Sequence, residues 1–125
     1  MEATGQTVTL GKRELELELP KSFTTRMEVL VLGRTSITRA YGAALGLCCE
    51  RIQRAKKISL AGAQHNLAVF GGQVIDALHE DKVLLSEIVT AGKAAYDLIT
   101  AAELTGKEVE DRLGNSPPDE VTTSS

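Results

Sequence analysis

The spacing of apolar residues changes period once along this chain, and the change divides it into a strand-forming start and a helix-forming remainder. Val8 and Leu10 alternate with Thr7 and Thr9, and Leu15, Leu17 and Leu19 alternate with Glu14, Glu16 and Glu18. A period of two gives a strand one apolar face and one solvated face. Gly11-Lys12 lies between the two runs, and glycine at the first turn position suits a type II′ connection. The spacing therefore predicts a β-hairpin over about residues 6–20, closed by Pro20. A hairpin alone is marginal in water. Its leucine face must cover this protein's own helices, which is the better use, or pair with another chain. The second use makes Leu15, Leu17 and Leu19 candidate protein-binding residues.

Beyond Pro20 the steps are three and four. Thr25-Arg26-Met27-Glu28 has the capping-box pattern and predicts a short helix to about Leu32, ended by Gly33. Thr35 or Ser36 caps a long helix reaching about Lys57, with Ile37, Tyr41, Ala44, Leu45, Cys48, Ile52 and Ala55 on one stripe. Gly42 and Gly46 lie on that helix, and each costs about 1 kcal/mol against alanine in a helix interior. Close approach of a neighbouring helix would account for them. A third helix is predicted from about Leu60 to Glu80, with Leu67, Phe70, Val74, Ile75 and Leu78 as its stripe and a break near Gly71-Gly72. Ser86 is the expected cap of a fourth, with Ile88, Ala91, Ala95, Leu98, Ile99 and Ala102 buried. Thr105-Gly106-Lys107-Glu108 repeats the capping-box pattern and opens a short acidic helix stopping at Gly114. From Asn115 onward the chain is polar around Pro117-Pro118 and is expected to stay disordered. The expected fold is mainly α: an N-terminal β-hairpin packed on a bundle of four to five helices within one domain, residues 1–114, followed by a flexible tail, 115–125.

Composition narrows the core. A chain of 125 residues is of single-domain size. Its aromatics are Phe23, Tyr41, Phe70 and Tyr96 alone, so Ala, Leu, Val and Ile must do the packing. No apolar run is long enough for a transmembrane helix, and the first residues show no secretory pattern. Cys48 and Cys49 are adjacent, a spacing in which disulfide geometry is hard to meet. Both are expected as reduced thiols on a helix, one of them in the core, in a cytoplasmic protein.

The chemistry-bearing residues do not form a reactive set. His65 and His79 stand fourteen apart with no ligands to complete a zinc site, and neither cysteine has an identifiable base. Gly71-Gly72 lacks the Gly-Lys-Ser/Thr ending of a phosphate loop, and Glu14, Glu16 and Glu18 belong to a solvated strand face. No enzyme activity and no cofactor are expected. Charge is uneven instead. Residues 33–57 hold Arg34, Arg39, Arg51, Arg54, Lys56 and Lys57 against Glu50 alone. Residues 103–120 hold Glu103, Glu108, Glu110, Asp111, Asp119 and Glu120 against Lys107 and Arg112. Solvated faces explain both runs. The sharper reading is head-to-tail self-association, with Arg51, Arg54, Lys56 and Lys57 of one copy meeting Glu108, Glu110 and Asp111 of the next. A net charge of −3 argues against general nucleic-acid binding.

The order of elements carries a resemblance. A hairpin around Val8–Leu15 precedes Phe23-Thr24-Thr25; Phe70-Gly71-Gly72-Gln73-Val74 follows two further helices; Leu85-Ser86-Glu87-Ile88-Val89 then leads to Leu104-Thr105-Gly106-Lys107-Glu108-Val109 and a Pro-containing tail. Over roughly residues 6–115 this layout resembles the tail assembly chaperones of long-tailed bacteriophages. The resemblance implies a helper in the host bacterial cytoplasm that binds the tape measure protein, keeps it soluble, assists polymerisation of the tail tube protein, self-associates, and is not retained in the virion. It also implies the short form of a family that has frameshift-extended members. The alternatives are a helical head–tail connector or other structural virion protein, and a nucleic-acid-binding regulator using the basic segment.

Overall fold

A computed structural model of the protein describes the backbone of residues 6–114 and the side chains from Thr7 to Ala102. The expected flexible tail, 115–125, lies outside the described residues. The fold is mainly helical, with an N-terminal antiparallel hairpin of β1 (Gln6–Leu10) and β2 (Arg13–Leu17). Val8 pairs with Leu15 and Thr9 with Glu14, which leaves Gly11-Lys12 as the two-residue turn. Gly11 sits at φ 64 and Lys12 is not left-handed, so only the first turn position needs the freedom of glycine.

Five helices follow: α1 (Phe23–Leu32), α2 (Ile37–Cys48), α3 (Glu50–Lys56), α4 (Leu67–Glu80) and α5 (Leu85–Gly114). Helix α2 is the centre of the molecule, with α4 and α5 packed against it. Ala40, Gly42, Ala43, Ala44, Leu45, Gly46 and Cys48 of this helix are all buried. Its small side chains let the neighbours close in. A Cβ on Gly42 would lie 2.5 Å from the Gly71 carbonyl oxygen, and one on Gly92 would lie 2.8 Å from the Tyr41 carbonyl oxygen. The close approach expected from Gly42 and Gly46 is thus made by α4. Phe70, Val74, Ile88 and Ile99 fill the core from the flanking helices, and Val8, Leu10, Leu15 and Leu17 close it from the hairpin.

Several boundaries differ from the sequence reading. The predicted long helix to Lys57 is two helices, broken at Cys49 (φ −134, ψ 86). The break frees the Cys48 carbonyl, which accepts a 2.8 Å hydrogen bond from the Glu18 amide, so the hairpin is stitched where the helix opens. The predicted break near Gly71 does not occur; α4 runs through it, and the glycine serves contact with α2. Residues 60–66 form turns rather than helix, with Gln64 and His65 both left-handed at φ 58. The caps move as well. Ser22, not Thr25, caps α1 by accepting from the Thr25 amide at 3.2 Å. Asn66 caps α4 by accepting from the Val69 amide at 3.1 Å. Ser86 lies within the first turn of α5; the Leu84 carbonyl accepts from the Glu87 and Ile88 amides, and the Glu87 carboxylate accepts from the Leu84 amide at 3.3 Å. The Thr105 pattern opens no new helix, because α5 is continuous to Gly114.

Candidate protein-binding surfaces

Two surfaces stand out, and only one was visible as a charge pattern. The first is a groove of about 540 Å³ where three separate segments meet: the hairpin tip, α3, and the turn between α4 and α5. Leu10, Leu15, Ile52, Leu78 and Val83 form its floor. Each keeps a few per cent of its surface open, unlike the sealed Leu17, Val29 and Phe70. Lys12, Arg13, Arg51 and Lys56 rim it. Among the described residues Asp81 is the sole acid in the lining, and it is held in an ion pair by Lys56.

The structure divides the four predicted basic site residues. Arg51 faces the groove and makes no ion pair among the described residues. Arg54 reaches its own helix, 3.6 Å from Glu50, with both side chains about three-quarters exposed, a pair worth little in water. Lys56 is committed to Asp81. Lys57 ends α3 in a left-handed conformation and lines a separate, shallower cavity of about 320 Å³ with Asp76 and Glu80. Glu108, Glu110 and Asp111 lie on the last turns of α5, beyond the described side chains. Lys12 and Arg13 were missed, because a turn and a strand start carry no helical charge pattern; only the folded hairpin brings them to Arg51.

The leucine face of the hairpin is largely spent inside. Leu17 is fully buried, Leu15 is buried, and Leu19 is partly buried against the core. For Leu17 the protein-binding reading is therefore corrected, because the side chain is sealed against the helices; Leu15 keeps 7% of its surface, on the floor of the groove.

The second surface is on α1. Val29 alone of this helix is fully buried, while Phe23 and Val31 are each 58% exposed and Met27 is exposed between them. Residues four apart share a helix face, so these three form one apolar stripe. Arg26 lies 5.8 Å from the Phe23 ring centroid and donates at 2.6 Å to the Pro20 carbonyl, which fixes the start of the helix. The signal was present in the sequence. Val29-Leu30-Val31-Leu32 after Met27 holds more apolar residues than one buried face can take.

The remaining reactive groups sit apart. Both cysteines are buried and free, and Cys49 occupies the break between α2 and α3 rather than a helix. Burial first, and the neighbouring Cys49 second, pushes the Cys48 thiol up to about 12, so it carries no thiolate at neutral pH. His65 and His79 are exposed. Among the described residues no group of three or more His, Cys, Asp or Glu side chains is placed to hold a metal ion. Among the same residues no helix is long and apolar enough to cross a membrane. The fold thus defines a small helical domain with two open surfaces of different character, one apolar and one apolar with a basic rim. Compared with models of protein families, with characterised proteins and with solved structures, the chain matches none.

Proposed function

We propose that the protein is an assembly chaperone that binds an elongated helical client, with the role that phage tail assembly chaperones play toward a tape measure protein. The observation that carries this reading is the stripe Phe23–Met27–Val31, three apolar side chains left open along one helix face. A tape measure chain has long apolar helical stripes before the tail tube encloses it. A helix offering anchors at i, i+4 and i+8 covers such a stripe in the manner of helix-in-groove recognition. Large apolar groups at the centre of an interface supply most of its free energy. The resemblance in element order supports the phage setting, the host cytoplasm as the place of action, and the tail tube protein as a further partner.

The test is co-expression with a tape measure protein encoded beside it. The wild-type chain is expected to keep that protein soluble and to co-purify with it. Phe23→Glu together with Val31→Glu is expected to abolish co-purification while the circular dichroism and melting temperature stay close to wild type, since both side chains are already exposed. Retained binding by this double variant removes the α1 stripe from the reading. Recovery of the chain in stoichiometric amounts from purified particles would make it a structural virion component instead.

A further inference from the structure

We infer that the basic-rimmed groove receives the acidic end of α5 from a second copy of this chain. The inference does not rest on the client reading, because it concerns the protein alone. Three observations carry it.

The first is charge complementarity. Lys12, Arg13 and Arg51 stand around an apolar floor, and the one acid that the described residues bring to the lining, Asp81, is already paired with Lys56. The rim therefore presents unbalanced positive charge. The end of α5 is its counterpart: from Glu103 to Leu113 there are Glu103, Glu108, Glu110 and Asp111 against Lys107 and Arg112. That stretch also carries Val109 and, four residues on, Leu113, which match the chemistry of the floor.

The second is length. Val83 lines the groove and Leu85 begins α5 two residues later. At about 1.5 Å per residue, roughly 35 Å of helix separates Leu85 from Glu108. The acidic end is carried away from the groove of its own chain and is presented to that of another.

The third is the size of the groove. About 540 Å³ is too little for a whole helix but takes the side chains projecting from one, which suits a helix end laid across the mouth. Leu84 and Leu85, which follow Val83 in the chain, are 65% and 57% exposed. The contact is heterologous, groove of one copy to helix end of the next, so it propagates as a ring or an open filament.

Sedimentation velocity on the full chain tests this with two variants. Arg13→Glu with Arg51→Glu disables the groove; Glu108→Lys with Glu110→Lys and Asp111→Lys disables the helix end. Arg13 and Arg51 are exposed, so the first leaves the core intact. The wild type is expected to assemble in a concentration-dependent manner, more weakly at about 0.5 M salt than at about 0.05 M. Each variant alone is expected to associate at least about tenfold more weakly, because attraction across the interface is lost or becomes repulsion. Mixed in equal amounts, the variants hold one working groove and one working helix end between them, and are expected to form a dimer and nothing larger. This mixing also shows that both are folded. A wild-type chain that stays monomeric at every concentration overturns the proposal. So does a groove variant that assembles like wild type, or a mixture that yields no dimer.

Discussion

At the scale of single residues, Cys48 and Lys82 hold free energy in opposite ways. The Cys48 thiol is buried beside the point where the hairpin is stitched to α2, and burial raises it from 9.0 to about 12. An unfolded chain releases that proton from about pH 9, whereas the folded chain keeps it. Stability from this thiol is therefore complete below pH 9 and falls as the pH rises from there toward 12. Thermal melts of wild type and Cys48→Ala should run parallel at neutral pH and converge above about pH 9; a gap between them that ignores pH would show that the thiol is not desolvated. Native protein at neutral pH should also resist alkylation at Cys48 until denaturant is added. Lys82 is the reverse case. It sits at φ 66 just past α4, where the Val83 amide closes the helix end onto the Leu78 carbonyl at 3.1 Å. Glycine has no Cβ to strain there. Lys82→Gly should raise stability by about 1 kcal/mol, seen as a melting temperature higher by about 4 °C.

At the scale of elements, neighbouring glycines in α4 should respond with opposite signs. A Cβ on Gly71 would collide with the Arg39 carbonyl of α2, which is backbone and cannot swing aside. Gly71→Ala must push two helices apart and should cost about 3 kcal/mol or more in urea unfolding. A Cβ on Gly72 would meet only the Arg39 side chain at 3.6 Å, an ordinary contact. Gly72→Ala should therefore stabilise by up to about 1 kcal/mol through helix propensity. Equal effects at the two positions would contradict the α2–α4 packing. Sequence pattern alone made the hairpin, its turn and the stripes of α2, α4 and α5 legible, because those features repeat with the period of the backbone. It did not reveal the break at Cys49, since Cys48, Ile52 and Ala55 continue the stripe across it and the partner of the freed carbonyl, Glu18, lies thirty residues away. Capping patterns at Thr25 and Ser86 misled by a few residues because Ser22 and Leu84 offer earlier starts. The groove was legible only as a basic segment. Lys12 and Arg13 join it through tertiary contact, and Lys56 leaves it for Asp81.

At the scale of the whole molecule, the question is whether the hairpin is a removable flap or part of the cooperative core. A flap would expose Leu15 and Leu17 on opening and return them to the list of client-binding surfaces. The geometry opposes that. Leu17 has no accessible surface, its strand lies beside the break in the α2–α3 segment, and the Glu18 amide donates to Cys48 at 2.8 Å. Lifting the hairpin would take Leu10 and Leu15 out of the floor of the groove and exchange the Glu18–Cys48 hydrogen bond for bonds to water, a net loss of about 0.5–1.5 kcal/mol for that bond alone. The apolar residues of the hairpin add burial on top of this. Native-state hydrogen exchange can decide the matter: the Glu18 amide should exchange with the same free energy as the slowest amides of α2, as expected for a unit that opens only with the whole domain. Leu17→Ala should lower that common free energy by about 3 kcal/mol and should lower it at Glu18 and in α2 together. Faster exchange at Glu18 with α2 untouched would mean that the hairpin opens alone. The client surface would then include the leucine face, and the groove would be a transient feature rather than a standing one.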